Sequence, residues 1–208
     1  MFDLDAASCP IIGIASESRE HDSQWHAHQR TQLLYLTEGA ITLLTADRIG
    51  HLEPLQAIWL PEGVRHRAVM QGRFAYRSLY FDVQAYRDLP RAAVIIEVSQ
   101  LLRELIVCVA EWPTDDALTE ARTRLVRVLL DELETAPASP LYLPMPRERR
   151  IGAIANGLVE DQSEQRTLDE WADRVGPSAR TLARLRIMLP HRQAHPIQLV
   201  HRGKPWRV

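Results

Sequence analysis

The chain has 208 residues, a net charge of −2, 46% hydrophobic and 25% charged residues, which is room for one large or two small cores and the balance of an ordinary soluble protein. No apolar run approaches the roughly 20 residues of a bilayer span, and the start from Met1 to Asp5 is acidic where a signal peptide is basic, so no membrane partner is expected and the expected location is the cytoplasm. Cys9 and Cys108 stand far apart without metal-type spacing, which argues against a disulfide framework and a thiolate zinc site.

Residues 11–82 read as short strands separated by turns. In Trp25-His26-Ala27-His28 through Gln32, an extended backbone alternates its side chains, so His26, His28 and Gln32 share one parity and one face. Gln32 to Thr37 and Ala40 to Leu44 flank Glu38-Gly39, the pattern of a hairpin turn in which Gly supplies positive φ. Ala57 to Leu60 leads into Pro61-Glu62-Gly63-Val64-Arg65-His66, which delivers a third histidine. Two further strands, His66 to Met70 and Arg73 to Asp82, are separated by Gln71-Gly72. Short strands at close spacing, with no break for a long helix, argue for one β domain over residues 1–90, a barrel or jelly roll.

From Pro90 the period changes. Val98, Leu101, Leu102, Leu105, Ile106 and Val109 recur at helical spacing, and so do Leu118, Ala121, Leu125, Val128, Leu129 and Leu133. A helical hairpin over 91–136 follows, with an apolar stripe that the barrel or a second subunit must cover. Pro137, Pro140, Pro144 and Pro146 then fix φ and remove backbone donors, so 137–146 reads as a stiff interdomain linker. Beyond it, Thr167-Leu168-Asp169-Glu170 has the spacing of a capping box, and its helix buries Leu168, Trp171, Ala172 and Val175 before stopping at Gly176-Pro177. Ser178 caps the next helix, whose inner face is Ala179, Leu182 and Leu185 and whose outer face carries Arg180, Thr181 and Arg184. That is a helix-turn-helix pattern.

His26-x-His28 with Gln32 and Gly39, and Pro61-x-Gly63-x-x-His66, resemble the two cupin motifs. The run from Thr167 through Ala172 and from Ser178 through Leu185 resembles the first helix-turn-helix of AraC/XylS-family transcriptional regulators, and the order of barrel, helical segment and linker is similar to that family across residues 20–185. The resemblance implies an α+β fold: an N-terminal cupin-type β-barrel (jelly roll) with a helical hairpin, followed by a small all-α helix-turn-helix segment at 147–185. It implies a DNA-binding transcriptional regulator rather than an enzyme, working as a homodimer and sensing a small-molecule effector or a metal. Ser178, Arg180, Thr181 and Arg184 would be the DNA-binding residues.

His26, His28, Gln32 and His66 form the expected metal or effector pocket. The cupin pattern places Glu where Gln32 stands, and a neutral amide is the weaker ligand for a divalent ion. Three imidazoles still suit zinc, nickel or iron, with Gln32 or water completing the shell. The same groups without a metal would hydrogen-bond an effector or one another. Two other functions stay open, a metal-dependent cupin oxygenase or isomerase and a truncated form that dimerises without reading DNA.

The end of the chain departs from the family. Leu185 is followed by Arg186-Ile187-Met188-Leu189-Pro190, where the family continues with Phe, a basic pair and Glu-Thr-Gly and then a second helix-turn-helix. Residues 186–208 hold five of the 25 Lys and Arg, none of the 27 acids and the sole lysine, Lys204. The expectation is an out-of-frame tail on an incomplete DNA-binding domain, with weak or lost specific DNA binding.

Overall fold

The computed structural model describes residues 8–86, 89–113, 118–139 and 142–144, together with Glu170. Met1–Tyr142 belong to one compact unit and Leu143–Arg202 to a second. The expected helix-turn-helix with Ser178, Arg180, Thr181 and Arg184, and the tail 186–208, lie outside the described residues.

The element order is β1 (Ile11–Asp22), β2 (Thr31–Glu38), β3 (Ile41–Thr45), β4 (Arg48–Leu52), β5 (Gln56–Leu60), β6 (His66–Phe81), β7 (Val94–Glu97), α1 (Gln100–Ala110), α2 (Glu120–Thr135) and β8 (Tyr142–Pro144). β1 takes one edge of β6, while β2 and then β3 lie along its other edge. β5 joins β2, β7 joins β5 and β4 joins β3, every pair antiparallel. The outcome is a nearly closed antiparallel barrel with a helical hairpin beside it.

Alternation explains both cores. Leu34, Leu36, Ile58, Leu60, Ile95 and Phe74 belong to an interior cluster. Their sequence neighbours Leu33, Tyr35, Ala57, Trp59 and Ile96 point the other way and pack, together with Leu79, with Leu102, Ile106, Val109, Val126 and Leu129 of the two helices. β2 is therefore buried along Thr31–Leu36 on both faces, which is why its sequence reads as a continuous apolar run. Gln32 interrupts that run on the interior side.

Four expectations change. β2 and β3 are not a hairpin: Gly39 (φ 87°) passes the chain between them, and both pair with β6 instead. The physical reason is length, because a 16-residue β6 accommodates two short strands in succession. A Cβ on Gly39 would lie 2.5 Å from the Arg73 carbonyl oxygen, so the crossing requires glycine. Secondly, β6 is one strand across Gln71-Gly72, bent rather than broken, with Gly72 at φ 75°. Thirdly, residues 94–97 extend the sheet beside β5 and α1 starts only at Gln100, after Ser99 Oγ accepts the Leu102 amide at 3.1 Å. Fourthly, Leu101, Leu125 and Val128 are exposed by 51%, 38% and 41%, while Val126 is buried. Packing against the sheet face rotated the buried stripe away from the one that periodicity alone selects. Residues 137–139 also run along β7, with Pro137 accepting the Glu97 amide at 2.9 Å and the Ser139 amide donating to Ile95 at 2.7 Å.

Gly13 of β1 sets how closely α1 approaches the sheet, since a Cβ there would lie 2.4 Å from the Val109 carbonyl oxygen and 2.5 Å from Ala110 Cα. Backbone cannot swing aside as a flexible side chain can. Gly13→Ala is expected to lower stability by about 1–3 kcal/mol through overpacking, read as a fall in the midpoint of thermal or urea unfolding.

Candidate functional site

Three segments deliver the site. β6 begins at His66 and keeps period two, so His66, Ala68, Met70, Tyr76 and Tyr80 all face one cavity of about 100 Å³. β2 adds Gln32 and Leu34 from the adjacent strand. His26 and His28 come from the connection between β1 and β2, which is not the extended strand expected for them: His26 forms an isolated bridge and His28 lies in loop. They converge with His66 through tethers instead of strand parity. His26 and His66 exchange backbone hydrogen bonds at 3.0 and 2.8 Å, and the Gly63 amide donates to the His28 carbonyl at 2.9 Å. Gly63 has φ 72°, so the Pro-x-Gly turn is stitched to one histidine while aiming the next.

The ring centroids of His26 and His66 are 4.3 Å apart, those of His26 and His28 4.8 Å, and those of His28 and His66 5.5 Å. One nitrogen of each ring lies within 4.8 Å of the others. Two rings are anchored alike, each to the carbonyl two residues earlier: His26 Nδ1 to Gln24 and His66 Nδ1 to Val64, both at 2.9 Å. A carbonyl only accepts, so Nδ1 carries the proton, and in the neutral ring Nε2 keeps a lone pair. This is the arrangement in which a histidine ligates through Nε2.

The anchor of His26 is itself held. Asp22 accepts Arg67 Nε at 2.9 Å and Nη2 at 2.6 Å, and its Oδ1 also accepts the Gln24 amide at 2.9 Å. That fixes Gln24 at φ 55° with its carbonyl toward His26. The Arg67 guanidinium holds the Asp22 carboxyl down at about 2.

Gln32 is 5% exposed. Its Nε2 donates to Ser78 Oγ at 2.8 Å and Tyr80 Oη at 3.0 Å, while Oε1 has no hydrogen-bond partner among the described residues. A buried acceptor without a donor costs roughly 1–3 kcal/mol. Its amide oxygen therefore has an unused lone pair beside the Nε2 atoms of His26 and His66.

All four expected pocket residues thus meet at one cavity. His21 and Ser23 of the β1 end line it too, as do Tyr76 and Tyr80, and sequence reasoning did not pick them out. The tyrosines were reachable by counting in twos from His66 through an unbroken β6. His21 was not, because its place depends on the pairing that sets it opposite Met70. Trp25 does not line the cavity; its ring lies under the Arg65 guanidinium, 5.7 Å away, on the outer side.

Over residues 8–145 the chain matches the family described as the AraC-like ligand binding domain. It is 30% identical over 166 residues to the HTH-type transcriptional regulator NimR of Escherichia coli strain K12, which covers 80% of this chain. The chain spans 60% of the length of that relative. Among solved structures it is similar to the AraC-like transcriptional activator CuxR (16% identity, TM-score 0.47, 85% of this chain and 70% of that one). It is also similar to apo ToxT of Vibrio cholerae (6% identity, TM-score 0.45, 86% and 75%).

Burial, and secondarily the neighbouring His26 and His28, hold His66 down at about 4 against the ordinary 6.5, outweighing the Val64 hydrogen bond. The unfolded chain therefore takes up the proton first as pH falls. Stability is whole above pH 6.5 and is lost between there and about 4, by up to about 3 kcal/mol from this group. Urea unfolding of chelator-treated protein across that window is expected to show the loss, and His66→Asn to flatten it; an unchanged slope would refute the assignment.

Proposed function

Because the chain belongs to the AraC-like ligand-binding domain family, matched over residues 8–145, we propose that it is a cytoplasmic transcriptional regulator whose barrel senses a divalent metal at His26, His28 and His66. The carrying observation is the convergence of three imidazoles, two with Nδ1 tied to backbone carbonyls, beside the partnerless Oε1 of Gln32. Nitrogen donors with one amide oxygen suit zinc or nickel before calcium or magnesium. When bound, such an ion would supply a Lewis-acidic centre and a structural clamp. The residues themselves do the rest. Asp22 and Gln24 orient His26, the Gly63 turn orients His28 against His66, and the Ser78 and Tyr80 hydroxyls orient Gln32.

The regulator reading is preferred to a cupin enzyme because the family is that of a ligand-binding domain and the matched curated relative is an HTH-type regulator. Sensing requires a path from pocket to output, and β2 supports one. Gln32 and Leu34 face the cavity while Leu33 and Tyr35 lie under the helices. A ligand that draws the pocket closed favours whichever helix packing goes with the closed form, by its difference in affinity for the two states. Homodimerisation through the hairpin is supported by the exposed Leu101, Leu125 and Val128, and the DNA-contacting groups are Ser178, Arg180, Thr181 and Arg184.

Untagged, chelator-treated protein is expected to take up one Zn(II) per chain in competition with a chromogenic chelator. His66→Ala should weaken binding by roughly 100-fold or more, since even second-shell losses cost 10–100-fold. Absence of stoichiometric uptake would sink the metal reading. For the helical hairpin, the Leu125→Glu/Val128→Glu double variant is expected to shift sedimentation from dimer to monomer at micromolar concentration with an unchanged circular-dichroism melt. A dimer that persists puts the interface elsewhere.

A further inference from the structure

The charge of the cavity carries the proposed metal site one step further. Its lining is His21, Ser23, His26, His28, Gln32 and His66 with aliphatic and tyrosine side chains, and among the described residues no Asp or Glu belongs to it. Asp22, between the lining residues His21 and Ser23, is committed to a bidentate pair with Arg67 at 2.6 and 2.9 Å. Glu62, in the turn before His66, is exposed and outside the lining. Every donor that could reach a divalent ion there is therefore neutral. Gln32 decides this: it is 5% exposed, its Nε2 is fixed by Ser78 and Tyr80, and Oε1 is left as an acceptor without charge.

A divalent charge placed among these neutral donors, against a wall of Leu34, Leu43, Leu60 and Met70, lacks its counter-charge, and an uncompensated charge taken out of water is costly. We infer that the ligand sensed by this pocket is a small oxyanion that binds together with the metal ion and neutralises it, and that Gln32 is the residue that makes the pocket demand one. This rests on the metal reading above. The cavity, about 100 Å³, admits only a few heavy atoms beside an ion and is smaller than the roughly 300–1,000 Å³ of pockets for drug-sized ligands. Leu34, Leu43, Leu60 and Met70 in its wall suit a short apolar tail, so a small carboxylate should outdo an inorganic oxyanion of equal charge. Binding is by coordination and charge alone; no bond of the anion is made or broken.

The consequence is reciprocal coupling: anion tightens metal and metal tightens anion by the same factor. The test uses the full chain loaded with Co(II), whose visible absorption reports its coordination, titrated with sodium acetate or sodium nitrate at constant ionic strength, alongside Zn(II) competition with and without acetate. The wild type should show a saturable spectral change and an apparent Zn(II) affinity raised at least about tenfold by saturating acetate, within the usual range of coupling between sites. Gln32→Glu should hold Zn(II) more tightly in the absence of anion and lose the acetate response. Gln32→Leu, which removes the amide without adding charge, should keep it, and guards against a glutamate variant that fails to fold.

Zinc uptake with no response to either anion overturns this inference and leaves the metal reading standing, whereas no zinc uptake overturns the metal reading itself. Equal acetate binding by metal-free protein, or an undiminished response in a folded Gln32→Glu, also overturns it. A response to nitrate equal to that to acetate assigns the site to inorganic oxyanions and overturns the preference for a carboxylate.

Discussion

The structure depends on the saturation of β6. This 16-residue strand is hydrogen-bonded along both edges, by β1 on one side and by β2 and β3 on the other. Its period of two then serves two purposes at once. One parity runs from His66 to Tyr80 around the cavity, and the other sends Leu79 and Phe81 into the layer beneath the helices. A one-residue slip in any of the three pairings would exchange those faces and put histidine among leucines. The register is therefore enforced from both sides.

The same strand links the pocket to the helices mechanically. β2 and β5 are buried on both faces, so the side chains that face the cavity and the side chains that pack against α1 and α2 are sequence neighbours. Cores of this density shift between discrete packings more readily than they stretch. Gly13, where α1 backbone comes nearly into contact with β1, fixes one end of that arrangement. The sensing role proposed above requires such stiffness, because a soft sheet would absorb a change at the pocket without moving anything else.

Around the pocket, the order of support runs outward from the rings. His26 rests on the Gln24 carbonyl, Gln24 on Asp22, and Asp22 on Arg67, which leads back to β6 one residue after His66. His66 rests on Val64, inside the turn whose Gly63 holds His28. The rings of His26 and His66 are braced through backbone carbonyls at Nδ1, and His28 is held through its own backbone carbonyl. Gln32 is braced from the opposite wall by two hydroxyls. A glutamine in such a position differs from a glutamate by little volume and by one full charge, and for the metal reading proposed above the charge is what matters.

By itself the sequence determined the composition of the pocket and the class of the fold. Two histidines spaced by one residue, a Pro-x-Gly turn and a third histidine are local patterns, and alternating short strands with aromatic and branched residues carry their own signal. It also marked both helices, since apolar residues at three-and-four spacing need no partner to be recognised. What tertiary structure alone decided was which strands are neighbours and which faces turn inward. Gly39 looks like a hairpin glycine until β6 proves long enough to pair with the strands on both its sides. Leu125 and Val128 share the periodic stripe with Leu129 and Leu133, but the sheet beneath takes Val126 beside those two and leaves Leu125 and Val128 exposed. His21 joins the site only through the pairing that sets it opposite Met70, and Ser78 and Tyr80 meet Gln32 only because β2 pairs with β6. Local propensity is a property of a few consecutive residues, whereas burial and register depend on surfaces that come into being only when the chain has folded.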